Sequence, residues 1–401
     1  MRLPGDKSIA QRALLLRLLT EGALAIRGLP HGDDVQAAQA AVRDLSRGAG
    51  RVWCGESATL ARLLLGLAAG LGRVVVVDGA PSLRARPMDR LARPLAELFG
   101  GPVLVPEARG GPLLLPLRVA PRAARANRVI DTRLPSAQVK SALLLAAQAA
   151  RVPVAVREPS STRDHTELLL ASLGAGVVVT DRRVALSPHT LRGGSVTLPG
   201  DPSSAALLAV AVVARPGRHA PFEDVLLNPR RTGFLDVLAR MGAGVAQRSV
   251  RARRGEPVGE LTITGARLSG VDVAPSEVPA LIDEVPALVA AALCARGPSR
   301  FAGVAELAHK ESDRLRGLAA LARSFGGRGA VQGGDRLVVH PPARRPRGPV
   351  HVETGGDHRL AMAALALGRA LDVAVRLDQP ACVAKSFPGF GEALDEVDGA
   401  R

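Results

Sequence analysis

Apolar residues recur along this chain in one arrangement: a turn of small and polar residues, then an Ala/Leu-rich run. The first copy is Leu3 to Leu16, LPGDKSIAQRALLL. Pro4 and Gly5 end an extended segment and Asp6 is placed as an N-cap. The apolar spacing that follows predicts a helix starting at Lys7 or Ser8. The arrangement returns as CGESATLARLLLGLAAG from Cys54, RLPSAQVKSALLLAAQAA from Arg133 and LPGDPSSAALLAVAVVA from Leu198. PALIDEVPALVAAALCARG from Pro279 and ETGGDHRLAMAALALG from Glu353 complete six copies.

Between them lies a second arrangement, a helical run ending in Gly. It reads LAELFGG at Leu95, LLASLGAGV at Leu169, LARMGAGV at Leu238 and LARSFGG at Leu321, with weaker versions at Val42 and Phe390. Each Gly is placed as a helix C-cap. β-Branched runs at Arg73–Val77, Gly176–Thr180 and Arg336–His340 read as strands. The unit is thus strand–helix–strand–helix plus strands, about 65 residues long and used six times. This predicts an α/β protein of two domains with three units each. The expected division is residues 5–227, and 228–401 together with 1–4.

The chain's 401 residues, 47% of them hydrophobic, suffice for two full cores. No apolar run reaches the ~20 residues a membrane span needs, and no signal-peptide pattern opens the chain. Cys54, Cys294 and Cys382 are widely spaced, odd in number and without metal-ligand spacing. They are expected to be reduced, in a cytoplasmic protein. A net charge of +16 invites a nucleic-acid reading. The arginines are dispersed, however, and aromatics make up only 2%, which leaves few base-stacking platforms. An anionic small substrate accounts for the charge equally well. Lysine occurs only at Lys7, Lys140, Lys310 and Lys385 among 53 basic residues. Each is therefore a candidate position for a compact, titratable ammonium.

On the first helix Ser8 and Arg12 share a face, as do Lys7 and Gln11. These groups at a helix N-terminus suit a phosphate or carboxylate, although a capped helix with a solvated basic face reads the same way. Ser136, Gln138 and Lys140 stand at the third helix start, and Ser160, Ser161 and Arg163 precede a further helix. Asp283 and Glu284 lie among apolar residues, as either an N-cap, the commoner role, or a general base with a tuned pKa. Lys310 and Arg314 are spaced to share a helical face, a repulsion of roughly 0.2–0.5 kcal/mol that an anion would relieve. Glu311 sits beside them as a possible acid or base. Asp357, His358 and Arg359 open the sixth helix, and Lys385 follows in AKSFPGF.

Together LPGDKS…R, SAQVKSALLLA, RDHTE, PGDPSSAA, LNPRRTGFLDVL, LIDEVP, KESDRL, DHRLAM and KSFPGF resemble, in order and over nearly the whole chain, the 3-phosphoshikimate 1-carboxyvinyltransferase (EPSP synthase) family. The resemblance implies a two-domain inside-out α/β barrel of six βαβαββ units that closes on its substrates. It implies transfer of the enolpyruvyl group of phosphoenolpyruvate to the 5-hydroxyl of shikimate 3-phosphate, with loss of phosphate from a tetrahedral ketal. No metal, organic cofactor, nucleic-acid or membrane partner is implied, and the chain is expected to act as a monomer.

By motif match, Lys7 touches both substrates, and Ser8 and Arg12 hold shikimate phosphate. Ser136, Ala137 and Gln138 continue that pocket, with Ser161 or its neighbour Ser160 beside it. Ala58, Arg86, Arg314, Arg359 and Lys385 are implied around phosphoenolpyruvate. Asp283 resembles the base on the 5-hydroxyl, Glu311 a proton-transfer group at C3, and Lys310 a partner in both. The chain departs from the family pattern at Ala10 and Gln11, where Ser and His are usual. It departs again at Glu56 and Ala58, where Asn and Gly are usual, and at His309, which replaces Val. The methyl of Ala58 implies reduced sensitivity to glyphosate, which is longer than phosphoenolpyruvate. The nearest rival is the enolpyruvyl transferase that acts on UDP-N-acetylglucosamine, whose N-terminal motif and cysteine loop are not evident in this sequence.

Overall fold

Each of the six Ala/Leu-rich runs forms a helix, and five of the six begin at a side chain that accepts a backbone N–H. In the computed structural model, which describes residues 1–107 and 111–399, these are Lys7–Leu16, Ala58–Gly70, Ala137–Ala150, Pro202–Val213, Val285–Leu293 and His358–Leu371. Asp6 accepts from Ile9 N at 2.8 Å, and Ser57, Ser136, Asp201 and Asp357 act alike at their own helices. The Val285–Leu293 helix is the exception. Glu284 occupies its N-cap position without a side-chain bond, and Pro286 in the first turn removes one N–H that would need a partner. The cap expected from Asp283 or Glu284 is not formed.

The expected Gly stops also form. Gly100 is left-handed at φ 69° after Asp89–Phe99, and Gly48, Gly174, Gly242 and Gly326 take positive φ just past their helices. At the chain's end Gly399 is instead the last residue of the Phe390–Gly399 helix, and Ala400 of that motif lies outside the described residues. Two expected strands form with the expected ends, Gly176–Thr180 and Arg336–His340. The third is shifted to Val75–Asp78, because the Gly72–Arg73 turn takes up its start.

The repeat is visible in the sheets. Arg51–Trp53 pairs parallel with Val75–Asp78, which pairs antiparallel with Leu117–Val119, and that strand pairs antiparallel with Leu104–Pro106. The same order builds Arg128–Asp131, Val154–Arg157, Arg183–Ser187 and Gly176–Thr180. It builds Asp272–Val273, Ser299–Ala302, Arg336–His340 and Arg328–Gln332 once more. In each, one helix crosses over between the parallel strands and a second leads into the hairpin.

By mutual contact the chain divides into one unit of Asp6–Leu198 with Arg254–Glu256, and another of Met1–Gly5, Pro199–Arg253 and Pro257–Arg401. Each holds three of the six helices. Residues 199–227, counted with the first three repeats from the sequence, group instead with the later part. The cause is the Pro202–Val213 helix, buried along its whole length against Val285–Leu293 and His358–Leu371. In the other unit Ala58–Gly70 crosses Ala137–Ala150 at backbone contact. A Cβ on Gly66 would meet Ala142 O at 2.4 Å, and one on Gly70 would meet Ala146 O at 2.2 Å. These glycines permit the close crossing that brings two helix starts near one another. Helices that are apolar all round thus lie inside, and strands such as Gly176–Thr180 turn outward with Val178 and Val179 exposed. Among the described residues no helix is long and apolar enough to cross a membrane.

Candidate active site

The predicted residues fall into two groups, one in each unit. In the unit of Asp6–Leu198, Lys7 Nζ meets Asp34 Oδ2 at 2.9 Å. Gln11 Nε2 donates to Asp34 O at 3.4 Å and to Ser57 Oγ at 2.8 Å, so the expected Lys7–Gln11 face is real. Gln11 thereby ties the first helix start to the N-cap of the second, where Ala58 is buried as the first helical residue. Next along, Gln138 Nε2 donates to Thr59 Oγ1 at 2.8 Å and its Oε1 accepts from Arg62, which also donates to Pro87 O at 3.1 Å. Pro87 adjoins the buried Arg86. Polar contacts thus link Lys7 through Asp34 and Gln11 to Ser57, and Thr59 through Gln138 to Arg62, with Ala58 lying between the two links, Ser136 and Ala137 preceding Gln138 in sequence, and Arg86 next to Pro87. The Ser136 hydroxyl accepts from Val139 N at 3.4 Å and keeps its own O–H to donate. Ser161 stands apart, exposed in the loop before His165–Ser172.

On the same face as Ser8, Arg12 is buried. Its Nη1 donates to Ser8 O at 2.9 Å, Nε to Thr166 Oγ1 at 2.8 Å and Nη2 to Ser141 Oγ at 3.2 Å. Burial pulls its pKa down to about 10, a fall eased by the charges of Glu167 and Asp6. Lys140 is fully buried between Glu158 at 2.6 Å and Glu167 at 2.7 Å. It belongs to the scaffold of this group and is closed to a ligand from solvent. Burial raises the Glu167 pKa although Lys140 opposes the shift.

In the unit of Pro257–Arg401, six predicted residues form a linked network at the start of His358–Leu371, where Asp357 is the N-cap. Arg314 Nε donates to Asp357 Oδ2 at 2.8 Å and Nη2 to Oδ1 at 3.1 Å, and Nη2 also pairs with Glu311. Arg359 Nη1 donates to Asp283 O at 2.9 Å, Lys310 Nζ approaches Asp283 Oδ1 at 3.4 Å, and Lys385 Nζ approaches Gly356 O at 3.4 Å. Burial acts to raise the Asp357 carboxyl, but the facing Arg314 guanidinium holds it below its ordinary value. Arg314 is raised in turn: burial opposes the shift, and Asp357 and Glu311 outweigh it.

Two expectations change here. Lys310 and Arg314 do not share a helical face: Lys310 is extended at φ −86° and ψ −151°, and the helix begins only at Arg314 because Asp313 caps it through Arg316 N. Glu284, open from sequence to a capping or basic role, is sealed in the interior. It accepts from Ser203 Oγ and Arg231 Nη1, each at 2.5 Å, with Arg359 Nη1 at 3.9 Å. It is closed to solvent there, whereas Asp283 keeps partial exposure. The ordering hydroxyls of Ser141 and Thr166 went unread in the sequence, although both lie within motifs noted there, SAQVKSA and RDHTE.

Helix starts that gather cations and carboxylates suit a group-transfer enzyme for anionic substrates. The sequence profile of the family described as EPSP synthase (3-phosphoshikimate 1-carboxyvinyltransferase) matches residues 1–394. A 3-phosphoshikimate 1-carboxyvinyltransferase of Methylobacterium radiotolerans is 40% identical, across 100% of this chain and 94% of its own. One of Caulobacter vibrioides is 38% identical, across 98% and 94%. Among solved structures, EPSP synthase from Acinetobacter baumannii superposes with a TM-score of 0.82 at 30% identity, covering 99% of this chain and 95% of that one. The enolpyruvyl transferase NikO from Streptomyces tendae, at 19% identity and a TM-score of 0.71, shares the fold. The chain belongs to the EPSP synthase family, and its fold is the two-domain inside-out α/β fold of these enzymes.

Proposed function

We propose that the chain transfers the enolpyruvyl group of phosphoenolpyruvate to the 5-hydroxyl of shikimate 3-phosphate and releases phosphate. Family membership supports the reaction. The observation that carries it at the level of residues is the linked network of Asp283, Lys310, Glu311, Arg314, Arg359 and Lys385 at the start of His358–Leu371. In this reading Asp283 takes the proton of the 5-hydroxyl as its oxygen attacks C2 of phosphoenolpyruvate. Glu311 delivers a proton to C3, giving a tetrahedral ketal. Removal of a C3 proton then restores the double bond as the C2–O bond to phosphate breaks. Lys310, within reach of Asp283, assists both proton transfers, and Arg359 and Lys385 hold the carboxylate and phosphate of phosphoenolpyruvate. Preorganised cations are suited to a pair of anionic substrates and to the charge that develops on the departing phosphate.

Lys7, Ser8, Arg12, Ser136, Ala137, Gln138 and Ser161 are assigned to shikimate 3-phosphate, and Ala58 and Arg86 to phosphoenolpyruvate. The polar links between the first three helix starts support this assignment. We place the protein in the cytoplasm as a monomer. The free Cys54, Cys294 and Cys382 suit a reducing compartment, and a solution mass measurement checks the monomer. The test of the reaction is phosphate release. It is expected only with both substrates present and with UDP-N-acetylglucosamine inert as acceptor; turnover with the sugar nucleotide instead overturns the reading.

A further inference from the structure

Arg12 is a buried cation with no carboxylate in contact with it among the described residues, although the charges of Glu167 and Asp6 act on it from further off. The residue is 3% exposed, and all three of its hydrogen bonds go to uncharged oxygens, those of Ser8, Thr166 and Ser141. Among the described residues no carboxylate lies within ion-pair distance of it. The other deeply buried arginines are treated differently: Arg231 meets Glu284 at 2.5 Å and Arg314 meets Asp357 at 2.8 Å. A buried guanidinium left unneutralised gains most from an incoming anion, and Arg12 commits only three of its five N–H donors.

Such a group binds well only if it is aimed. Thr166 Oγ1 accepts from Arg12 Nε and donates to Ser141 Oγ at 2.7 Å, and Ser141 Oγ also accepts from Arg12 Nη2. The two hydroxyls thus form a fork that matches one edge of the guanidinium. Each is fixed by its neighbours in the chain. Lys140, adjacent to Ser141, reaches Glu167, adjacent to Thr166, at 2.7 Å. On the other side of Thr166, His165 Nδ1 meets Glu256 at 2.7 Å. All of these side chains are buried, so the Ala137–Ala150 and His165–Ser172 helices are pinned on both sides of the hydroxyl pair. Hydroxyl oxygens hold a guanidinium without cancelling its charge; a carboxylate in their place would compete with the ligand.

We propose that Thr166 and Ser141 are positioning residues for the acceptor substrate, aiming Arg12 while leaving its charge free for shikimate 3-phosphate. This rests on the reading of that molecule as acceptor. Calorimetric titration of shikimate 3-phosphate into the full-length protein, with initial rates and melting on the same samples, tests it. Thr166→Val is expected to weaken binding by about 10-fold, the scale of a hydrogen bond to a charged group. Its kcat at saturating acceptor should be retained, and Thr166→Ser should recover most of the affinity. Ser141→Asp should weaken binding further while the protein stays folded, by neutralising Arg12. If Thr166→Val does not fold, Ser141→Ala carries the same expectation. Unchanged affinity in folded Thr166→Val, or a fall in kcat at unchanged affinity, overturns the proposal alone. Wild-type protein that does not bind shikimate 3-phosphate overturns it together with the reading beneath it.

Discussion

Arg12 and Arg314 are both buried cations in motif positions, yet their surroundings treat the charge in opposite ways. Arg314 is doubly bonded to Asp357 and paired with Glu311, so burial is outweighed and its pKa rises. Arg12 has hydroxyls and a carbonyl, burial wins, and its pKa falls to about 10. Ion pairing inside a protein offsets desolvation only when geometry and further hydrogen bonds are good, and Arg314 has both. The difference separates two uses of the same residue. Arg314 organises the carboxylates around it, including Glu311, and Arg12 is held ready for a charge from outside.

The largest expected effects fall on the groups assigned to touch the substrates directly. Asp283→Ala should lower kcat by ~10²–10⁴-fold with modest change in stability, as loss of a positioned base does. Lys7→Met and Lys385→Met, one in each unit, should likewise lose activity far beyond any shift in melting. Near-normal turnover in any of these folded variants removes that residue from the assignment.

Stability should divide the two arginines next. Asp357→Asn strands Arg314 with one carboxylate in place of two, and breaking a buried pair costs about 3–5 kcal/mol. Thr166→Val at Arg12 should cost less, about 1.5–3 kcal/mol, the range for a hydrogen bond to a charged group. Denaturant midpoints of equal size for the two variants would erase the contrast. A smaller effect is expected at Ala58, buried between Ser57 and Thr59, which engage Gln11 and Gln138. A methyl that crowds glyphosate should cost its binding ~1–3 kcal/mol, on the scale of overpacking. Ala58→Gly should therefore lower the ratio of the glyphosate inhibition constant to KM for phosphoenolpyruvate; an unchanged ratio clears the methyl.

The smallest effect is a pH dependence. The folded pKa of Asp357 is depressed, so its contribution is present above the unfolded carboxylate value of ~3.9 and is lost as pH falls through the lower folded value. Stability should therefore decline on acidification in that window. The decline should be shallower in Asp357→Asn, followed by melting across pH, and an identical slope would show that Asp357 is not its source.

What was legible in the sequence was what a few adjacent residues decide. Asp6, Ser57, Ser136 and Asp201 cap their helices within three residues, and Gly100 or Gly174 stops one by adopting a φ that other residues resist. Six copies of such local signals were enough to count the repeats. Partners arriving from afar were not legible. Glu284 looked like a cap because its true partners, Arg231 and Ser203, lie 53 and 81 residues away. Lys310 looked helical because the spacing to Arg314 is right, and Asp313 starts the helix too late for it. The position of residues 199–227 likewise depended on which helices the Pro202–Val213 run would pack against.

The scarcity of lysine also bears on chemical reactivity. Lys140, 0% exposed, is closed to any reagent, whereas Lys7 and Lys310 keep 21% and 20% of their side chains open and Lys385 is half-buried. The accessible lysines are thus Lys7, Lys310 and Lys385, all in the two candidate groups; the N-terminal amine, bonded to Pro221 O at 3.0 Å, is exposed and is the further amine a reagent would reach. On most proteins an acylating reagent spreads over a surface full of amines. On this one every lysine it could reach lies in a candidate group, and bound substrates would be the protecting group for those sites.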